Sequence, residues 1–178
     1  SLMPDHAEHA DGLRKVAGRN ADFLRGTDPE GKDAPLRIDL FALKEGGRID
    51  GRFMGPLRPE LPKLKPGKSY LVEVVIRTVA MGHPFTQGTV DSNEVWVDFT
   101  AKSGGKVIGR SGALAHPDNT GAVDEWAHRL NVLMLDRNGN RINRRNPQDI
   151  FTPLYDHQIP PGAGQVVHYE LKVPDNVK

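Results

Sequence analysis

Cysteine is absent from the 178 residues of this chain. The absence excludes disulfide bonds, cysteine-ligated zinc, thiol catalysis and covalent attachment of haem within the chain. It does not indicate a compartment, because a domain without cysteine is compatible with both oxidising and reducing surroundings.

Long apolar runs and a strong excess of one charge are also missing. No run approaches the roughly 20 residues that a membrane-spanning helix needs, so we expect no membrane insertion by this segment. The formal net charge is +1, which argues against nucleic acid as a partner, because nucleic-acid-binding domains usually have a clear basic excess. The sequence has no glycine-rich phosphate loop and no serine in a nucleophile motif. We predict a domain that is not an enzyme; the alternative is a metal-dependent enzyme that would use the histidines described below.

The hydrophobic pattern changes near residue 35. Residues 1–34 are polar, and the few apolar residues over 12–25 are loosely spaced as in a helix, which predicts a partly helical or disordered N-terminal arm. Over 35–178, apolar residues recur at every second position, which predicts a β domain. The clearest strand is 69–80, whose alternating residues share one face: Tyr70, Val72, Val74 and Ile76.

Turn signals divide the β domain into many short strands. Glycine-containing turns are predicted at 45–47, 103–105 and 138–139, with 48–54 running back as a partner strand after the first of them. Proline lacks the donor that a β-ladder needs, so 55–67, with its four prolines, predicts an extended connector, and Pro153 predicts an edge strand. This pattern is typical of a two-sheet antiparallel β-sandwich. We predict an immunoglobulin-like topology, with a jelly roll as the alternative.

Histidines follow several of the predicted strands. If 69–80 runs upward, strand alternation brings His83, His116 and His128 to one end of the sandwich, and His157 to the opposite end. Asp91, Asp118 and Asp124 are expected beside the first three. Imidazoles with carboxylates can hold a divalent metal ion, so one interpretation is a metal site at His83, His116 and His128. The alternative is that polar loops meet at the end of any sandwich. His168, on the outer face of its strand, is expected to be solvated.

The two tryptophans are candidates for contacts with other molecules. A strand is also predicted over 94–102, where Trp96 is expected on the face opposite Val95 and Val97. There it packs under the chain's own loops, against the N-terminal arm or against a partner domain. An exposed Trp96 beside other aromatic rings would favour a module that binds carbohydrate or another polymer, whereas a buried Trp96 would exclude it. Trp126 is expected to anchor its loop to the end of the sandwich.

A longer pattern lies in the loop after the clearest strand. It reads Gly82-His83-Pro84-Phe85-Thr86-Gln87-Gly88 and continues as Asp91-Ser92-Asn93-Glu94-Val95-Trp96-Val97. These residues resemble the GH-x-F-x-x-G…D-x-x-E-x-W pattern in the C-terminal β domains of bacterial multihaem c-type cytochromes. Further segments resemble the same family in the same order: 107–112, 135–140, 149–151 and 157–162. The resemblance covers roughly residues 36–174, and Thr86-Gln87 departs from it, since many relatives have Pro-Thr there.

The resemblance implies a haem-free module of a multihaem cytochrome in the periplasm or at the cell surface. No cofactor is expected in this chain, and haem c is expected at Cys-x-x-Cys-His motifs elsewhere in the parent protein. The implied partner is the haem-bearing domain, and the implied role is to support electron transfer by packing against or docking it. His83 is then a candidate haem-facing residue or distal iron ligand, and the candidate interaction residues are Phe85, Gln87, Trp96 and Trp126. The alternative for this loop is that Gly82 and Gly88 simply maintain its shape.

Overall fold

The computed structural model describes residues 9–27 and 34–177, apart from residues 87, 89, 91, 117, 119, 144 and 145. These residues form one α-helix and nine antiparallel β-strands, so the described part of the protein is mostly β, as predicted. The helix is α1 (Ala10–Arg25), and the strands are β1 (Leu36–Glu45), β2 (Phe53–Met54), β3 (Ser69–Thr78), β4 (Phe99–Ser103), β5 (Lys106–Ser111), β6 (Val132–Leu135), β7 (Arg141–Ile142), β8 (Thr152–Asp156) and β9 (Gly164–Lys172).

Helix α1 lies in the N-terminal arm, where the apolar spacing predicts one. It ends at Gly26, whose φ of 71° is left-handed and whose N–H donates to the Phe23 carbonyl at 3.1 Å. Leu13 and Val16 of the helix are exposed, so this part of the arm adds little to the core. Among the residues described, no helix combines the length and apolar character that crossing a bilayer requires.

The largest sheet has the strand order β2-β1-β3-β9. Strand β3 pairs with β1 on one side and β9 on the other over almost its whole length. Its alternating residues Tyr70, Val72, Val74 and Ile76 are buried in the core, which confirms the predicted face. On β9 the same alternation buries residues that face the core with them, among them Val167 and Leu171.

Two smaller sheets complete the described β-structure, and of these the first, a hairpin, packs partly buried side chains against the core. Strands β4 and β5 form a hairpin at the predicted turn, and β7-β6-β8 form a three-stranded sheet. Pro153 lies on β8, which is an edge of that sheet, as predicted. Segments between the strands add the buried core side chains Leu57, Leu130 and Ile159. Partly buried side chains also pack against the core, among them Val95, Val97 and Phe99.

Two predicted strands are shorter than expected. Of 48–54, only Phe53–Met54 pairs with β1, because the chain first makes a turn in which the Gly51 N–H donates to the Arg48 carbonyl at 3.1 Å. Of 94–102, regular pairing begins only at Phe99. The preceding residues instead pair with the segment before β6 through an isolated bridge between Trp96 and Arg129.

The three-stranded sheet corrects the predicted position of His157. Strands β7 and β8 lie on opposite sides of β6 and both run antiparallel to it. The connection between them therefore returns along the sheet, and Asp156 at the end of β8 pairs with Val132 at the start of β6. His157 thus lies at the same end as His128, not at the opposite end, because the chain changes edges after β7.

Candidate functional site

The loop after β5 presents Trp126 to solvent on a fixed backbone. The Trp126 side chain is 82% exposed, yet its amide donates to Asp124 Oδ1 at 3.0 Å. Asp124 Oδ2 accepts from the Gly112 amide, also at 3.0 Å, and these two amides hold the pKa of the Asp124 carboxyl below its usual value. One carboxylate therefore ties the Trp126 backbone to the end of β5.

Gly112 links this loop to the other tryptophan. Its φ is 82°, and a Cβ at this position would overlap the Val97 carbonyl oxygen, so the backbone here suits only glycine. The Gly112 carbonyl accepts a hydrogen bond from Trp96 Nε1 at 3.0 Å, and the Trp96 residue is partly buried. Because this burial is only partial, a polymer-binding module is not excluded, but Trp96 cannot supply its exposed aromatic face. Trp126 is the exposed tryptophan, and the loop is anchored by Asp124 rather than, as predicted, by the Trp126 ring.

A row of three rings lies in the same region as Trp126. The His128 and His157 rings are nearly parallel, with an interplanar angle of 6° and centroids 5.8 Å apart, and the Tyr155 ring lies 4.8 Å from that of His157. The pairing of β6 with β8 produces this row, since it joins the residues just before β6 to those at the end of β8.

Hydrogen bonds fix the orientation of these rings. Gln165 Nε2 donates to the His157 carbonyl at 3.0 Å, which leaves Gln165 Oε1 to accept from His128 Nε2 at 3.2 Å. His157 Nδ1 donates to the Arg129 carbonyl at 3.1 Å. In the neutral rings the second nitrogens, His157 Nε2 and His128 Nδ1, are then hydrogen-bond acceptors.

These side chains line a groove of about 500 Å³. We call it the Trp126 groove; its described lining comprises residues 125–129, Tyr155, His157 and 166–169. Flat aromatic faces, imidazole acceptors, and one acid and one base (Glu125 and Arg129) meet there. Such a mixture of apolar faces and a few oriented polar groups suits the binding of a small molecule or a polymer.

The three histidines of the predicted metal site have separate neighbours. His83 is exposed and its Nδ1 donates to the Pro84 carbonyl at 3.0 Å. The His116 ring lies against Gly121, and His128 belongs to the row of rings described above. Among the described residues, no group of three or more histidine or acidic side chains is placed to hold a metal ion, so no observed arrangement supports the site, and Asp91 lies outside those residues.

The loop that contains His83 is anchored to the core. Phe85 and Ile159 exchange backbone hydrogen bonds of 2.9 and 2.7 Å, and the buried Thr86 donates its hydroxyl to the Leu130 carbonyl at 3.0 Å. Phe85 is partly buried and packs against the core. The predicted contact residue Gln87 lies outside the described residues. The observed anchoring fits the alternative in which this loop keeps its shape.

Sequence reasoning missed the contributions of Tyr155, His157 and Gln165 to the groove. Their positions depend on which edge of β6 is joined by β8, and no local signal specifies that edge. It also placed His168 in solvent, and the structure confirms this. His168 is exposed, but its Nε2 lies 3.2 Å from Glu73 Oε1 and donates to it.

Comparison with known proteins adds no assignment. No family model matches the chain, and no curated protein and no solved structure is significantly similar to it. The function must therefore be inferred from the residues and their arrangement.

Proposed function

We propose that this chain is a non-catalytic accessory domain of an extracytoplasmic multihaem cytochrome. It packs against a haem-bearing module of the same protein and thereby supports electron transfer. One structural observation carries the proposal: large apolar side chains are exposed where β1, β2 and the proline-rich connector meet. We call these residues the edge patch: Ile38, Leu40, Phe41, Phe53 and Leu61.

The register of the main sheet explains why the edge patch is unusual. Ile38 and Leu40 on β1 lie opposite Ile76 and Val74 on β3, so all four share the core-facing side of the sheet. Ile76 is 0% exposed, whereas Ile38 is 61% exposed. The residues that cover this face of the sheet thus bury Ile76 but leave Ile38 in water. This exposure is unfavourable, because burial of apolar surface stabilises the folded state by about 25 cal/mol per Å².

The connector extends this surface, and β2 adds apolar side chains at the same edge but on the outer face of the sheet, since Phe53 pairs with Lys44, which bonds to Glu73 there. Leu61 is 71% exposed, and with Leu40 and Pro59 it lines a groove of about 750 Å³. The Phe41 and Phe53 rings are in contact, with centroids 6.2 Å apart, and both are exposed. Large exposed apolar patches on soluble proteins commonly mark interaction sites, which supports a docking role for this edge.

The resemblance supplies the nature of the partner. It supports a module with covalently attached haem c, located in the periplasm or at the cell surface. The pattern of short strands and turns supports a finer description of the fold, in which the sheets form a two-layer sandwich of immunoglobulin-like topology, with a jelly roll as the alternative.

His83 fits a contact with such a partner. It is exposed, and its Nδ1–H donates to a backbone carbonyl, which leaves Nε2 as the nitrogen that can bind iron. Metal-ligating histidines commonly have this arrangement, because the second hydrogen bond fixes the tautomer and the ring orientation. Haem itself would be attached outside this chain, since the chain has no cysteine.

The proposal is tested on the parent protein. Its gene is expressed in a bacterium with a c-type cytochrome maturation system, and covalent haem is measured by Soret absorbance and a pyridine haemochrome spectrum. Amide hydrogen exchange is then compared between the parent protein and the 178-residue chain. We expect covalent haem in the parent, and slower exchange over 36–43 and 53–61 in the parent than in the isolated chain.

Matched variants separate docking from general surface effects. Ile38→Ser and Leu61→Ser in the parent should restore fast exchange over the edge patch, while Val79→Ser and Val107→Ser, at exposed positions elsewhere, should not. A parent protein without covalent haem, or equal exchange in parent and isolated chain, would overturn the proposal.

A further inference from the structure

We propose that the Trp126 groove is a carbohydrate-binding site, in which a sugar ring stacks on the Trp126 indole and its hydroxyl groups bond to the row of rings. This inference does not depend on the haem-bearing partner. The strand order β2-β1-β3-β9 places the groove, which includes residues 166–169, at the β9 edge of the main sheet, and the edge patch at the β1–β2 edge.

Trp126 is held in a position that a ligand can cover. A side chain of this size is seldom left in water, because its burial removes a large apolar area. Here the backbone holds it outward: its amide donates to Asp124 Oδ1, the Ala127 amide donates to the Asp124 carbonyl at 3.0 Å, and Ser111 Oγ donates to the Trp126 carbonyl at 3.5 Å. A rigid aromatic ring on a fixed backbone loses little conformational entropy when a ligand covers it.

Polar groups in the groove are oriented to bond to hydroxyl groups. In the neutral rings, His157 Nε2 and His128 Nδ1 are acceptors, because the opposite nitrogen of each ring donates within the protein. Glu125 adds acceptors and Arg129 adds donors on the lining. Gln165 Oε1 holds the His128 ring and the Arg129 carbonyl holds the His157 ring, so the acceptors are fixed before a ligand arrives.

The combination selects among ligand classes. A pyranose ring has an apolar face of C–H groups and hydroxyl groups around its rim, which match an aromatic face beside fixed acceptors and donors. The groove suits a metal ion poorly, since the described residues contain no group of three ligands. It also suits a phosphate group poorly, because Glu125 offsets Arg129, the single arginine of the described lining.

Three soluble probes test the site: cellohexaose, chitohexaose and maltohexaose, each titrated into the ¹⁵N-labelled 178-residue chain. We expect at least one of them to shift the Trp126 indole N–H resonance and the His128 and His157 ring resonances, with a dissociation constant below about 1 mM. Trp126→Ala should weaken that binding at least about tenfold, a loss of ~1.4 kcal/mol.

The matched control is Phe151→Ala. Phe151 is also an exposed aromatic residue, but it stacks with Arg137 and does not line the groove, so its loss should leave the affinity unchanged. His157→Gln tests the polar part separately, and we expect weaker binding with the Trp126 shift retained. The proposal is overturned if none of the three sugars shifts these resonances at about 10 mM, a concentration that would reveal even millimolar affinity. It is equally overturned if Trp126→Ala binds as tightly as the wild type.

Discussion

The four-stranded sheet and the Trp126 loop are ordered by different forces. In the sheet, β3 pairs with strands on both sides, and one of its faces is buried throughout. In the loop, the Asp124 carboxylate joins the backbones of Gly112 and Trp126, while the indole ring stays in water. Order in the sheet is thus shared among many apolar contacts, whereas order in the loop rests on a few hydrogen bonds to one charge.

This difference separates global stability from the local shape of the binding surface. Substitutions in the sheet should change the free energy of unfolding of the whole domain, because its parts share one core. Substitutions in the loop should change local opening and ligand binding while the domain stays folded. The variants below test that division, beginning with the largest expected effect.

Ile76→Ala tests the sheet at its most buried point. Ile76 is 0% exposed and belongs to the core cluster, so its truncation removes apolar contacts and leaves a cavity. We expect a loss of about 2–5 kcal/mol in the free energy of unfolding, measured by urea denaturation. Val107→Ala is the control at an exposed position and should change the value by less than about 0.5 kcal/mol. Equal effects of the two variants would show that the assigned core is wrong.

Gly112→Ala tests the point where the sheet and the loop meet. The new Cβ would adopt a left-handed φ and overlap the Val97 carbonyl, so we expect a loss of about 2–4 kcal/mol. Gly139→Ala is a close control, since Gly139 has the same φ of 82° but nothing within 4 Å of the added Cβ. It should cost only the backbone contribution, about 1–2 kcal/mol. If both variants lose the same free energy by urea denaturation, the close approach to Val97 has no energetic role.

Glu73→Gln tests the charged group on the outer face of β3. Glu73 Oε1 lies 2.9 Å from Lys44 Nζ and 3.2 Å from His168 Nε2, and the Glu73 side chain is only 10% exposed. Burial raises the pKa of Glu73, but Lys44 and His168 outweigh it and keep the pKa below its usual value. We expect the variant to lose about 1–3 kcal/mol of unfolding free energy at neutral pH.

The acid dependence of Glu73 has a definite sign. Because its pKa is lowered by folding, its stabilisation is complete above the unfolded pKa of about 4.3 and is lost as pH falls through the folded pKa. Wild type and Glu73→Gln should therefore differ most near neutral pH and converge in acid. Glu45→Gln, which removes an exposed ion pair with Arg52, should have little effect. A constant difference at every pH would contradict the charge-based explanation.

Features of this fold that depend on local properties follow from the sequence, whereas those that depend on distant contacts do not. The buried face of β3, the hairpin at 103–105 and the edge position of Pro153 follow from periodicity and turn chemistry, which are local properties. The partial burial of Trp96 under its own loops was among the predicted alternatives. The groove was not predicted, because His157 reaches His128 only through the pairing of β8 with the far edge of β6. That choice of edge is made by contacts distant in sequence.

Asp124→Asn should have the smallest effect on global stability and a clear effect on the loop. The substituted amide keeps one acceptor oxygen, but its nitrogen cannot accept the second of the two backbone N–H groups now bound by the carboxylate. We expect an unchanged urea midpoint, faster amide exchange at Gly112 or Trp126, and weaker binding of any sugar that occupies the groove. Asp136→Asn is the control: Asp136 also accepts backbone amides, but those of Asn138 and Asn140, so Trp126 should be unaffected.

The pH dependence of the wild type provides the sharper form of this test. The backbone amides of Trp126 and Gly112 lower the pKa of Asp124 in the folded protein. The order that this carboxylate gives the loop is then complete above its unfolded pKa, about 3.9, and is lost as pH falls through the lower folded value. Amide exchange at Trp126, corrected for intrinsic rates, should therefore accelerate below about pH 4 in the wild type and vary little with pH in Asp124→Asn. If both proteins show the same acid dependence, a group other than Asp124 orders the loop, and the stated difference between the sheet and the loop is wrong.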